Sequence, residues 1–145
     1  MWIDDIWFRW ELAKLQKKKA SVWEDYREDL ETAEASKDWD SEREVASEAF
    51  TVEELHGWEI RSLQHNYVTK QAEVLLLPMP SYRSSDVEWE YCEHDDRWYL
   101  NAEILSTLAK EVRRERRERA EILFLWPMSL IGAVGGVIGI VSAFL

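Results

Sequence analysis

The chain has 145 residues and is short of several things at once, with one cysteine, five glycines and three prolines. A single thiol, Cys92, excludes an intramolecular disulfide framework and fits a reducing compartment. Every glycine except Gly57 lies beyond residue 131. Neither G-x-x-x-x-G-K, G-x-G-x-x-G nor H-E-x-x-H occurs, so there is no phosphate-cradling loop and no zinc-protease helix. Basic residues are outnumbered, 18 Lys and Arg against 29 Asp and Glu, and a net charge of −11 fits poorly with coating nucleic-acid phosphates. Metal-ligating types are scarce too. Cys92-x-His94 with Asp95 and Asp96 has no second ligand pair at a known spacing. His56 and His65 do not have the i,i+4 spacing that shares a metal on one helix. The carboxylate pairs Asp4/Asp5 and Asp95/Asp96 follow from the abundance of acids. These absences predict a non-enzymatic protein with no cofactor, no metal, no nucleic-acid partner and no evident small-molecule substrate.

What the chain has in plenty is tryptophan, nine in all, and one long uncharged run. From Ile122 to Leu145 there are 24 residues without a charge. As a helix they would be roughly 36 Å long, more than the ~30 Å hydrocarbon core of a bilayer. Thirteen of them are Leu, Ile, Val or Phe, whose insertion contributes at most on the order of −6 kcal/mol. Residues 121–145 therefore read as a transmembrane helix, with the lipid bilayer as a partner. Lys110, Arg113, Arg114, Arg116, Arg117 and Arg119 crowd its N-terminal flank. The positive-inside rule then leaves the N-terminal 120 residues in the cytoplasm. Met1-Trp2-Ile3-Asp4-Asp5 has no basic region ahead of an apolar run, so no signal peptide is expected and the protein reads as tail-anchored. Trp126 sits where an interfacial indole would anchor the span, and Pro127 beside it removes one helical hydrogen bond.

The span has a small-residue face. At about 100° per residue, Ser129, Gly132, Gly135, Gly136, Gly139 and Ala143 fall within a ~120° arc, and larger residues fill the remainder. Two overlapping G-x-x-x-G pairs, Gly132/Gly136 and Gly135/Gly139, would let helix backbones approach closely. The expected partner is another copy or another membrane protein.

Residues 2–36 contain neither Pro nor Gly and have apolar residues at helical spacing, with a slip before Tyr26, Leu30 and Ala33. They predict one long helix. Ser41 and Glu44 form a capping box that starts a second helix, whose seam runs from Val45 to Leu77. Thr51, Glu54 and Gly57 suggest a break around residues 50–57. Pro78 and Pro80 end that helix. Val87-Glu88-Trp89-Glu90-Tyr91 alternates and Arg97-Trp98-Tyr99-Leu100 is β-prone, which predicts a β-hairpin with Trp89, Trp98 and Tyr99 packed on the helices. Asn101 is the expected N-cap of a third helix, with supporting pairs Glu115–Arg119 and Arg117–Glu121. The fold class is thus mainly α. It comprises a cytoplasmic antiparallel helical hairpin (1–77), a Pro elbow and two-stranded β-hairpin (78–100), and an Arg/Glu-rich juxtamembrane stem helix (101–120). The stem continues into a single transmembrane helix (121–145).

Charge is segregated. Residues 23–59 hold 14 acids and 3 bases, net −11, whereas residues 1–22 and 60–83 are each +2. The hairpin tip is acidic, and its base is mildly basic and rich in Trp2, Trp7, Phe8 and Trp10, as interfacial segments are. Trp2, Trp7, Trp10 and Trp126 are the candidate interfacial anchors. Two arrangements compete. In one, the hairpin lies beside the stem with its base near the membrane; in the other it stacks above the stem and the tryptophans fill a three-helix core. The overall layout is similar to that of small bacterial membrane proteins, and the expected location is a bacterial inner membrane crossed once with the N-terminus in the cytoplasm. The functional expectation is a scaffold or adaptor that associates through the glycine face and docks partners on the acidic hairpin. The alternatives are a membrane-permeabilising effector, disfavoured by a span without a polar lining, and an accessory subunit of a larger membrane complex.

Overall fold

The computed structural model describes residues 2–82 and 87–143, with side chains described for 3–82 and 87–123. The chain is mainly helical with one short antiparallel sheet. In order come α1 (Trp2–Asp25), α2 (Arg27–Ser36), α3 (Trp39–Leu75), β1 (Trp89–Cys92), β2 (Arg97–Leu100) and α4 (Ala102–Ala143). The glycine face of Ser129, Gly132, Gly135, Gly136, Gly139 and Ala143, and the Trp2 and Trp126 anchors, lie outside the described side chains. Among the residues described with side chains, which stop at Leu123, no helix is long and apolar enough to cross a membrane.

Local chemistry corrects several expected boundaries. The first helix is interrupted at Tyr26, whose ψ opens to 0°. Hydrogen bonds still bracket it, from Tyr26 N–H to Val22 O at 3.1 Å and from Leu30 N–H to Tyr26 O at 3.0 Å. The opening coincides with the slip in the apolar rhythm. The second helix begins at Trp39 because Asp38, not Ser41, caps it. The Asp38 carboxylate accepts from the backbone N–H groups of Asp40 and Ser41 and from the Ser41 hydroxyl at 2.8 Å. A carboxylate there also meets the positive end of the helix dipole. No break occurs at 50–57. Thr51 turns its hydroxyl back to Ser47 O at 2.8 Å, and Gly57 is accommodated inside α3 at a propensity cost of about 1 kcal/mol relative to Ala. The helix ends two residues earlier than Leu77. Leu76 adopts φ 58°, and Leu77 N–H returns to Ala72 O at 2.9 Å, just ahead of Pro78.

The sheet pairs Trp89 with Leu100 and Cys92 with Arg97 around a Glu93–Asp96 turn, so its first strand starts at Trp89 rather than Val87. Asp96 takes φ 55°, a conformation its short polar side chain tolerates. Asn101 caps α4 as expected, accepting from Glu103 N–H at 2.7 Å and donating to Val87 O at 3.1 Å.

α1 and α2 run antiparallel to α3, as Tyr67–Asp5 at one end and Lys19–Glu53 farther along require. The elbow and β-hairpin carry the chain back along α3, where Tyr99 reaches Ser62 at 3.2 Å. α4 then descends parallel to α3, meeting Tyr67 through Arg116 and Leu75 O through Arg119. The hairpin therefore lies beside the stem. The stacked alternative is not formed, since Trp7 and Trp10 are 56% and 61% exposed. The main core gathers Val68, Ala72 and Leu75 of α3, Trp89 and Leu100 of the sheet, and Leu105, Leu108 and Val112 of α4. Trp98 is half-buried against it. The outer hairpin closes on fewer and smaller residues, Leu15, Val22, Ala33 and Ala49.

Leu100 is 1% exposed and is the keystone between sheet and helices. Leu100→Ala should lower unfolding stability by roughly 2–5 kcal/mol in chemical denaturation. Val87→Ala, at a residue 76% exposed, should stay within about 0.5 kcal/mol of the parent.

Candidate functional site

The end of the bundle where α1 begins and α3 finishes carries a polar cluster shared by three helices. Asp5 of α1 accepts a hydrogen bond from the Tyr67 hydroxyl of α3 at 2.6 Å and pairs with Arg116 of α4 at 2.5 Å. Arg116 also donates to the Tyr67 oxygen at 3.2 Å. Phe8 stacks on Tyr67 with ring centroids 3.8 Å apart and nearly parallel planes, which shields the cluster from one side. Three helices are clasped by one carboxylate. Burial pushes the Asp5 carboxyl up, but the bonds from Tyr67 and Arg116 and the charges of Arg116 and Arg9 outweigh it and hold Asp5 below its ordinary 3.8. Burial and the Asp5 bond push the Tyr67 phenol up, and the Asp5 bond holds the Arg116 guanidinium charged. Asp4–Lys70 at 3.6 Å and Arg119 on Leu75 O at 3.1 Å flank the clasp.

Around the same end lies apolar surface. Ile3, Ile6, Trp7 and Trp10 of α1 are exposed along about two turns, and Val74 and Leu76 are exposed where α3 ends. Ile122 and Leu123, at 61% and 74% exposed, open the uncharged run on α4. Single exposed apolar residues are ordinary, whereas a collar of them at one end of a small bundle marks a contact surface.

The six basic residues of the flank divide in use. Arg116 belongs to the clasp, Arg114 pairs with Glu118 and Arg119 with Glu115, the latter as expected. Among the described residues Lys110, Arg113 and Arg117 have no ion pair, so the expected Arg117–Glu121 pair is not formed. The sequence presents Asp5 only as half of an acidic pair and Tyr67 only as a seam residue of the second helix. The available signal was an acid set between Trp2 and Ile6 on an otherwise apolar stripe.

The remaining candidates are occupied structurally. Cys92 is buried, while Asp95 accepts from the Tyr99 hydroxyl and Asp96 from that of Tyr91. Among the described residues no three His, Cys, Asp or Glu side chains converge as a metal site would require. His65 is tucked edge-on against Tyr99 and Trp89 with neither ring nitrogen hydrogen-bonded. Burial, with the Arg61 charge adding to it, holds the ring below its ordinary range, while the Asn66 side chain opposes this short of hydrogen-bond geometry. Comparison with known protein families, curated proteins and solved structures yields no match.

Because the folded chain depresses Asp5, the clasp contributes stability above the unfolded carboxylate value near 3.8 and loses it as the pH falls through the lower folded value. At neutral pH Asp5→Ala should cost about 1–3 kcal/mol by taking the carboxylate acceptor from both Arg116 and Tyr67. Denaturation midpoints of the parent and of Asp5→Asn should converge as the pH drops below about 3.8.

Proposed function

We propose that this protein is a non-enzymatic membrane scaffold or adaptor anchored by residues 122–145. In this reading the helix continues from the stem into the bilayer, and the bundle rests its α1–α3 end on the membrane surface. The acidic tip, net −11 over residues 23–59, points into the cytoplasm, held away from anionic lipid by its charge. The face of Ser129, Gly132, Gly135, Gly136, Gly139 and Ala143 joins the span to another copy or to another membrane protein.

The observation that carries the reading is the coincidence of the apolar collar with the start of the uncharged run. Ile3 on α1 and Leu76 after α3 come from separate parts of the sequence, yet the Asp5–Arg116 and Arg119–Leu75 contacts bring both toward the end from which Ile122 and Leu123 emerge, with Trp7 and Trp10 about one to two turns farther up α1. Aliphatic side chains at that level, with indoles just beyond them on α1, suit the headgroup boundary. Lys110, Arg113 and Arg117, without an ion pair among the described residues, suit the cytoplasmic leaflet.

A chain truncated after Arg119 should leave the membrane fraction. Gly132→Leu with Gly136→Leu should insert like the parent and lose its crosslinked oligomer or partner. Val134→Leu with Val141→Leu, on the opposite face, should keep it. Equal crosslinking of the two double variants would remove the glycine face from the account.

A further inference from the structure

α1 and α4 both pack along α3 and barely touch one another apart from the Asp5–Arg116 clasp. Between them runs an open groove of about 740 Å³. Its floor is apolar, formed by Phe8 and Leu12 of α1, Val68 of α3 and Leu105 and Val112 of α4. Among the described residues its charged lining is Arg9, Arg61, Arg113 and Arg116 against Asp5, a formal +3 in a chain of −11. Arg61 is held by Glu90 and Arg116 by Asp5. Among the described residues, Arg9 and Arg113 on opposite walls have no carboxylate within ion-pair distance, although the Arg9 charge acts on Asp5 from farther off.

We propose that this groove docks an amphipathic helix of a partner protein whose apolar stripe is flanked by carboxylates. The shape argues for a helix. Two helices flanking a third without meeting leave the fourth corner of a four-helix arrangement open. The groove extends along α4 from Ala102 to Arg116, roughly 21 Å or four helical turns. Ala102, Ser106 and Ala109 present small side chains on that wall, so a helix can approach closely. The charge argues for an acidic helix, since Arg9 and Arg113 stand where its flanking residues would lie.

A second copy suits the groove poorly. Side by side in one membrane, two such faces would oppose arginine with arginine. The acidic tip of a neighbouring copy points away from this end. The inference deepens the scaffold reading and rests on it for the partner being a protein.

The test uses the full chain in nanodiscs of neutral phosphatidylcholine, with empty nanodiscs as the blank. The probe is a fluorescent helical peptide of about 18 residues, long enough for the groove, with a Leu stripe flanked by Glu. Its counterpart carries Lys in place of Glu. The Glu peptide should bind the parent, and Arg9→Glu with Arg113→Glu should weaken it about tenfold while gaining affinity for the Lys peptide. Ser106→Trp, at an exposed position on the wall, should also abolish binding with helicity unchanged. Equal affinity for both peptides, or no binding by either, would overturn the proposal. So would displacement of the Glu peptide when phosphatidylglycerol is added, because the groove would then belong to lipid headgroups. A chain that fails to enter nanodiscs marks failure of the membrane reading instead, and the same titrations on the free chain still decide the groove.

Discussion

Every other element of this protein is held through α3. Its Trp39–Leu75 length spans the whole hairpin, and its buried positions Ala49, Val68, Ala72 and Leu75 receive α1 and α2 on one side and α4 and the sheet on the other. Continuity of that helix is therefore the governing constraint. Had Gly57 broken it, the outer hairpin and the main core would have become separate units. The propensity cost of about 1 kcal/mol at Gly57 is small beside the burial of side chains such as Leu75, each worth roughly 1.5–3 kcal/mol.

The spine also separates two ends with different chemistry. The tip closes on small side chains and surrounds them with carboxylates, with Trp39 left 76% exposed. The opposite end is fixed by the Asp5–Tyr67–Arg116 clasp. The clasp matters because it ties α1, which would otherwise meet α4 hardly at all, to the register of the stem. With α1 so held, its first residues, Ile3 among them, stay near the start of the uncharged run while Ile6, Trp7 and Trp10 follow over about the next two turns up α1, and the groove between α1 and α4 keeps its width.

Much of this was legible in the amino-acid pattern. Helical periodicity gave the hairpin, the two prolines gave its end, and alternation gave the sheet, because each signal is local. Ser41 and Asp38 both satisfy capping chemistry, and only the extended backbone at Asp38 decides between them. The clasp was not legible. Asp5, Tyr67 and Arg116 are 62 and 49 residues apart along the chain, and nothing local marks an aspartate as a half-buried acceptor rather than a solvated charge. Arg116 looked like one of six interchangeable topogenic charges, yet its guanidinium makes two bonds that Lys110 or Arg117 does not. The groove was equally hidden, since it depends on how far apart α1 and α4 sit.

The central claim is that the clasped end of the bundle faces a bilayer and the acidic tip faces water. Nitroxide labels at Ile6→Cys and Trp39→Cys, each in a Cys92→Ser chain reconstituted in phospholipid vesicles, test it by relative access to oxygen and to a water-soluble paramagnetic nickel complex. The account predicts strong oxygen access and weak nickel access at residue 6, with the reverse at residue 39. Nickel access as high at residue 6 as at residue 39 would contradict it.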